Sequence, residues 1–157
     1  MGDIKKVLFV CTGNSCRSVM AEGLMKKYLK ELGKDDIKVT SAGTSTVGGF
    51  PPTNETVQVM EDEGIDVTAH RSTKLDENII KDADLILVME DLHKDFIDSN
   101  YPEGSFRTYL LKEYGLEGEP NYPDSRNIQD PITKPIEFYK LSLEVIKDQV
   151  ARVAKLL

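Results

Sequence analysis

Lys6-Val7-Leu8-Phe9-Val10-Cys11-Thr12-Gly13-Asn14-Ser15-Cys16-Arg17-Ser18-Val19 is the stretch on which the fold turns. An apolar run, Val7 to Val10, leads into small polar residues and then into an amphipathic segment that begins near Val19. That is a strand, a tight loop and a helix. Backbone N–H groups at a helix start, curled into a nest, converge on an anion. Gly13 allows left-handed or crowded backbone, and Asn14 is the other residue that tolerates it. Arg17 offers a planar fork for two oxygens of a tetrahedral oxyanion. The same positive field favours Cys11 as the reactive thiolate. Ser18 can cap the helix or donate its hydroxyl to the sulfur. The loop thus binds an oxyanion and aims a thiolate at its central atom.

Taken alone, Cys11 could be a buried cysteine at a strand end. The strand before it, the helix after it and the Gly, Asn and Ser within the loop favour the chemical reading. A metal site is disfavoured. The chain has two cysteines, Cys11 and Cys16, and two histidines, His70 and His93, without the spacing of a structural zinc site.

The chain has 157 residues and a formal charge of −7. The length suits one domain spanning 1–157 with one substantial core. The charge disfavours nucleic acid and anionic membrane as partners. No run approaches the ~20 apolar residues of a membrane span. No apolar signal core precedes the first strand, so a cytoplasmic location is expected, and two cysteines there need not be paired. Lys6 stands where a myristoylation motif after Gly2 wants Ser or Thr.

Beyond the opening strand, Lys6 to Val10, the pattern predicts a helix from Val19 to Leu32, with Met20, Leu24, Tyr28 and Leu32 on one stripe and Gly33 ending it. Ile37 to Ser41 reads as a strand and Gly43 to Pro52 as a loop. Thr53 or Asn54 caps a helix through Glu63, closed by Gly64. Asp76 caps a short helix before Asp82. Asp84 to Met89 is a buried strand, Asp91 to Ser99 a helix, and Phe106 to Leu111 a last strand. Lys112 to Lys134 is a long polar loop. Ile136 to Leu157 is a closing helix with Leu141, Val145, Val153 and Leu157 inward. The alternation gives an α/β fold with parallel pairing, and places the Cys11 loop at the carboxyl ends of the strands, where such sheets bind ligands.

Cys11 to Ser18, followed by Met20-Ala21-Glu22, resembles the signature of the low-molecular-weight protein tyrosine phosphatase family. Ser41-Ala42-Gly43 and Asp130-Pro131 resemble its later motifs, in the family's order. The likeness covers nearly the whole chain. Val19 departs from it, standing where the family usually has a helix-opening proline. The resemblance implies a four-stranded parallel sheet with helices on both faces and a phosphatase that needs neither metal nor other cofactor. It assigns Cys11 as nucleophile, Arg17 as phosphate ligand and Asp130 as proton donor. Thr12, Gly13, Asn14, Ser15, Cys16 and Ser18 complete the phosphate loop.

Read alone, Asp130-Pro131 is also an ordinary turn initiator, and Asp124, in Tyr122-Pro123-Asp124-Ser125, is a rival donor. Asn14 and Ser41 resemble the pair that holds the loop in shape. His70 matches a histidine that supports Asn14, although His-Arg-Ser by itself reads as plain surface. His93 reads as a solvated helix residue. Thr44, Phe50, Leu92 and Tyr122 are candidates for the mouth of the site or for packing. Cys16 is either small buried packing or a partner that protects oxidised Cys11 as a disulfide.

The implied partner is a phosphorylated protein or peptide, and a monomer is the expectation. Phosphotyrosine leads as substrate. The family's tyrosine enzymes often carry aromatic residues after the Asp-Pro pair, where Ile132 and Thr133 stand here. Ser15 resembles the threonine that marks phosphoarginine enzymes more than the branched apolar residue of phosphotyrosine enzymes, so protein arginine phosphatase is the close alternative. Arsenate reductases share the fold and loop but need further cysteines downstream, and none follows Cys16. A catalytically silent phosphate-binding module is disfavoured by Cys11, Arg17 and Asp130 occurring together.

Overall fold

A computed structural model describes residues 3–116 and 126–157. The elements follow in the order β1 (Lys6–Cys11), α1 (Arg17–Glu31), β2 (Lys38–Gly43), α2 (Asn54–Asp62), α3 (Glu77–Asp82), β3 (Leu85–Val88), α4 (Asp91–Asn100), β4 (Thr108–Leu110) and α5 (Ile136–Leu156). The four strands form one parallel sheet in the order β2-β1-β3-β4. Strand alternation divides the interior in two. Val7, Phe9, Leu85 and Leu87 face a core built with α1, α2 and α5. Leu8, Val10, Ile86 and Val88 face a second core with Ile80 of α3 and Ile97 of α4. Helices therefore cover both faces, which is why β1 and β3 are apolar at every buried position rather than alternating.

Register sets the site. Val10 pairs with Ala42 on one side and Val88 on the other, and Cys11 lies opposite Gly43. The loops after β1, β2 and β3 thus emerge together at one edge of the sheet. The expected caps hold: Thr53 Oγ1 accepts from Thr56 N at 3.3 Å and Asp76 Oδ1 from Ile79 N at 2.8 Å.

Four expectations are corrected. Helix α1 opens at Arg17, so Val19 is its third residue. The first intrahelical bond of that turn runs from Met20 N to Cys16 O, so Val19 N owes none and proline would be tolerated there too. Leu32 is exposed and Tyr28 half-buried, because an i,i+4 row drifts about 40° per step at 3.6 residues per turn. The buried face of α1 is instead Val19, Met20, Ala21, Leu24, Met25 and Leu29. Leu141 points outward, 64% exposed; α5 buries Tyr139, Leu143, Ile146, Val150 and Val153 at three- and four-residue spacing. The last strand starts at Thr108, because Pro102–Arg107 forms a 3₁₀ turn whose Gly104 packs on Ile80.

Candidate active site

The loop joining β1 to α1 turns on Asn14, which has φ of +55°. Gly13 uses neither the left-handed nor the crowded backbone it allows: its φ is not positive, and a Cβ there would meet, among the described residues, only Ser15 Oγ at 3.5 Å. The glycine that this geometry requires is Gly43, where a Cβ would lie 2.6 Å from Thr12 O and 3.1 Å from Asn14 N. The chain beyond β2 can therefore press against the loop. Thr44 N donates to Cys11 O at 3.0 Å and Ser45 N to Thr12 O at 2.9 Å.

The Cys11 sulfur accepts from Asn14 N at 3.3 Å and lies 3.0 Å from Ser18 Oγ. Asn14 Nδ2 donates to that same oxygen at 2.7 Å. The Ser18 hydrogen is thus free for the sulfur, and of its two expected roles Ser18 takes the second. Asn14 is the hub of the loop. Its Nδ2 also donates to Ser41 Oγ (2.9 Å), its Oδ1 accepts from Thr73 N (2.9 Å), and its carbonyl accepts from His70 Nε2 (2.9 Å). Ser41 Oγ donates onward to Glu22 at 2.5 Å. With its bonding capacity filled, this polar network holds one conformation.

Arg17 is 1% exposed. Its Nη1 donates to Ile128 O at 2.7 Å and pairs with Glu90 at 2.9 Å; its Nη2 lies 3.5 Å from Asp130. Its Nε is buried and has no hydrogen-bond partner among the described residues. A guanidinium in the first turn of a helix that carries no acid there opposes the macrodipole. Cys11, Thr12, Gly13, Ser15, Cys16, Arg17, Asp130 and Ile132 together wall a cavity of about 140 Å³. A thiol, a cationic fork, a helix start and a partly exposed carboxylate share this one small space, which suits nucleophilic attack on a bound oxyanion.

Residues 6–157 match the model of the family described as low molecular weight phosphotyrosine protein phosphatase. The chain belongs to that family. It is 34% identical over 152 residues to a protein-arginine-phosphatase of Geobacillus stearothermophilus, covering 96% of this chain and 94% of that one. It is 39% identical over 139 residues to an arsenate reductase of Staphylococcus aureus, covering 87% and 96%. The solved structure of a low molecular weight protein tyrosine phosphatase from T. tengcongensis superposes with a TM-score of 0.86 at 41% identity, covering 97% of this chain and 99% of that one.

Within this family scaffold, sequence reasoning missed three partners. Glu90, at the N-cap of α4, binds Arg17. Glu22 anchors Ser41, although it stands in the quoted signature. His93 is fully buried rather than solvated, with Nε2 at 2.8 Å from Thr12 Oγ1 and Nδ1 accepting from Glu90 N at 3.1 Å. Burial, reinforced by the Arg17 charge, lowers the His93 pKa to about 3, so the ring is neutral.

Cys16 is buried, with its sulfur 3.6 Å from Thr53 Oγ1 and 3.9 Å from Tyr139 Oη. Burial pushes the Tyr139 phenol up to about 12. Both cysteines are free. The candidate mouth residues Thr44, Phe50 and Leu92 do not wall the cavity, whereas Ile132, which was not among those candidates, does. Tyr122 and Asp124 lie outside the described residues. Among the described residues no group of three His, Cys, Asp or Glu side chains is gathered to hold a metal. No helix is long and apolar enough to cross a membrane there either.

Proposed function

We propose that the chain hydrolyses phosphotyrosine in proteins by double displacement at Cys11. The observation that carries this reading is the cavity that Cys11, Arg17 and Asp130 wall together, with Arg17 Nη2 3.5 Å from the Asp130 carboxylate. The thiolate attacks phosphorus, so that an S–P bond forms as the bond to the leaving oxygen breaks. Asp130 gives that oxygen its proton. Water then attacks the cysteinyl-phosphate, Asp130 takes its proton, and the thiolate departs with inorganic phosphate free. Arg17 and the loop N–H groups hold the equatorial oxygens through both steps. The Ser18 hydroxyl and the Asn14 N–H both lie on the sulfur, where they can support it as a leaving group in the second step.

The test is turnover of an aryl phosphate by the parent and by Cys11→Ser. The serine variant should bind phosphate or vanadate yet show no turnover. More than a trace of activity would place the nucleophile elsewhere.

Ser15 supports a second substrate, phosphoarginine. Ser15 lies on the cavity wall, where a hydroxyl favours a polar leaving group. Ser15→Ile should raise the ratio of phosphotyrosine to phosphoarginine turnover and Ser15→Thr should lower it, by about 10–200-fold for one well-placed contact. A ratio constant within a factor of about two would take the selectivity away from this residue. Arsenate reduction is not favoured, because a disulfide relay to a distant cysteine has no second member in a chain whose cysteines are Cys11 and Cys16.

A further inference from the structure

We propose that His93 is a positioning residue for phosphoryl transfer, acting on the phosphate loop through the hydroxyl of Thr12. The inference rests on the phosphatase reading above. Pairing of β3 with β1 carries the chain from Val88 to the start of α4 beside the loop, and Met89 N donates to Val10 O at 3.3 Å. His93 is the third residue of α4, and its two ring nitrogens do different work. Nδ1 accepts from the N–H of Glu90, so its lone pair is engaged and the ring proton sits on Nε2. Nε2–H therefore donates to Thr12 Oγ1.

Thr12 directly follows Cys11 and is gripped from two strands. Its carbonyl accepts from Ser45 N beyond β2, and its hydroxyl accepts from His93 beyond β3. Two fixed points on one residue set the peptide planes on either side of it, and with them the direction of the loop N–H groups that face an oxyanion. The imidazole has no exposed surface and lies beside Glu90, which holds Arg17, so the two arms of the anion cradle are braced by one helical turn. A capping role alone would need only Nδ1. The bond from Nε2 to Thr12 is what makes His93 part of the site.

That division supplies the test. Asparagine at 93 can keep the acceptor for Glu90 N but cannot reach Thr12. Glutamine can place an N–H near the Nε2 position. With an aryl phosphate, His93→Leu and His93→Asn should lower kcat roughly 10–100-fold, as small misplacements of reacting groups do, with KM changed less than about threefold. His93→Gln should recover most of the loss. Thr12→Val should match His93→Leu, and the double variant should be no worse than either single one, because both remove one interaction. Should His93→Leu fail to fold, as judged by circular dichroism, Thr12→Val against the parent carries the comparison. A His93→Asn enzyme that melts earlier but turns over like the parent would overturn the inference, as would losses that multiply in the double variant. An inactive parent would instead sink the phosphatase reading itself.

Discussion

Two strand-to-helix junctions stand side by side at the same edge of the sheet, and they are built in opposite ways. The junction after β1 opens α1 with a cation, no side-chain cap and no acid in the first turn. The junction after β3 opens α4 with Glu90 at the cap, Asp91 in the first turn and the His93 ring turned back on the Glu90 N–H. The first lies on the wall of a cavity; the second spends its own polar groups on itself and on its neighbour. A helix start becomes a site when its polarity is left open, and a helix start that is closed can hold an open one rigid. Glu90 does this for Arg17 and His93 for Thr12.

The largest test of this contrast is Arg17→Lys. Lysine keeps the charge but loses the planar fork, so kcat/KM should fall roughly 10²–10³-fold, the range for losing one oriented donor. A loss under about tenfold would mean that charge alone, without the fork, suffices at the open junction.

The next is the pH dependence of the closed one. His93 is neutral in the fold, with a pKa of about 3, whereas the unfolded chain takes up the proton below the ordinary 6.5. The unfolded state thus binds more protons in that window, and stability must fall as pH drops from 6.5 towards 3. The slope should reach about 1.4 kcal/mol per pH unit for this one group. Urea unfolding of the parent and of His93→Gln at pH 7, 5.5 and 4.5 isolates it; parallel curves would show that His93 does not supply the slope.

Glu90→Gln comes third. Arg17 keeps Ile128 O and Asp130 but loses its shortest carboxylate contact, at a cost of about 1.5–3 kcal/mol for a bond to a charged group. Thermal melts should fall accordingly, and kcat with them. A fall in stability with kcat intact would separate bracing from catalysis.

The smallest is a control at a helix start remote from the cavity. Asp76→Ala removes the cap of α3 and should cost about 1 kcal/mol of stability with no change in kcat/KM. A change in turnover would mean that helix starts in this fold are coupled more widely than the contrast allows.

What was legible in the sequence was whatever is local. The strand, loop and helix around Cys11, the Thr53 and Asp76 caps and the left-handed tolerance of Asn14 follow from neighbours within a few residues. His93 and Glu90 were not legible, because they reach the loop only through the pairing of Val88 with Val10, across nearly eighty positions. The same holds for the required glycine. Gly13 looked like the permissive residue because it sits inside the loop. The crowding is at Gly43, which meets Thr12 O from another strand. In α5, a count of apolar residues could not distinguish Leu141 from the buried Leu143, since only the packing partners fix which face is inward.

The buried guanidinium at the head of α1 also makes the fold a reporter of its own occupancy. Whatever anion completes the partners of Arg17 binds the native chain and not the unfolded one. Its free energy therefore adds to stability as RT ln(1 + [L]/Kd), about 2.7 kcal/mol at a hundredfold excess over Kd. On the proposed reaction inorganic phosphate should act as such a folding ligand, and the melting temperature should rise with its concentration as a titration curve for the site.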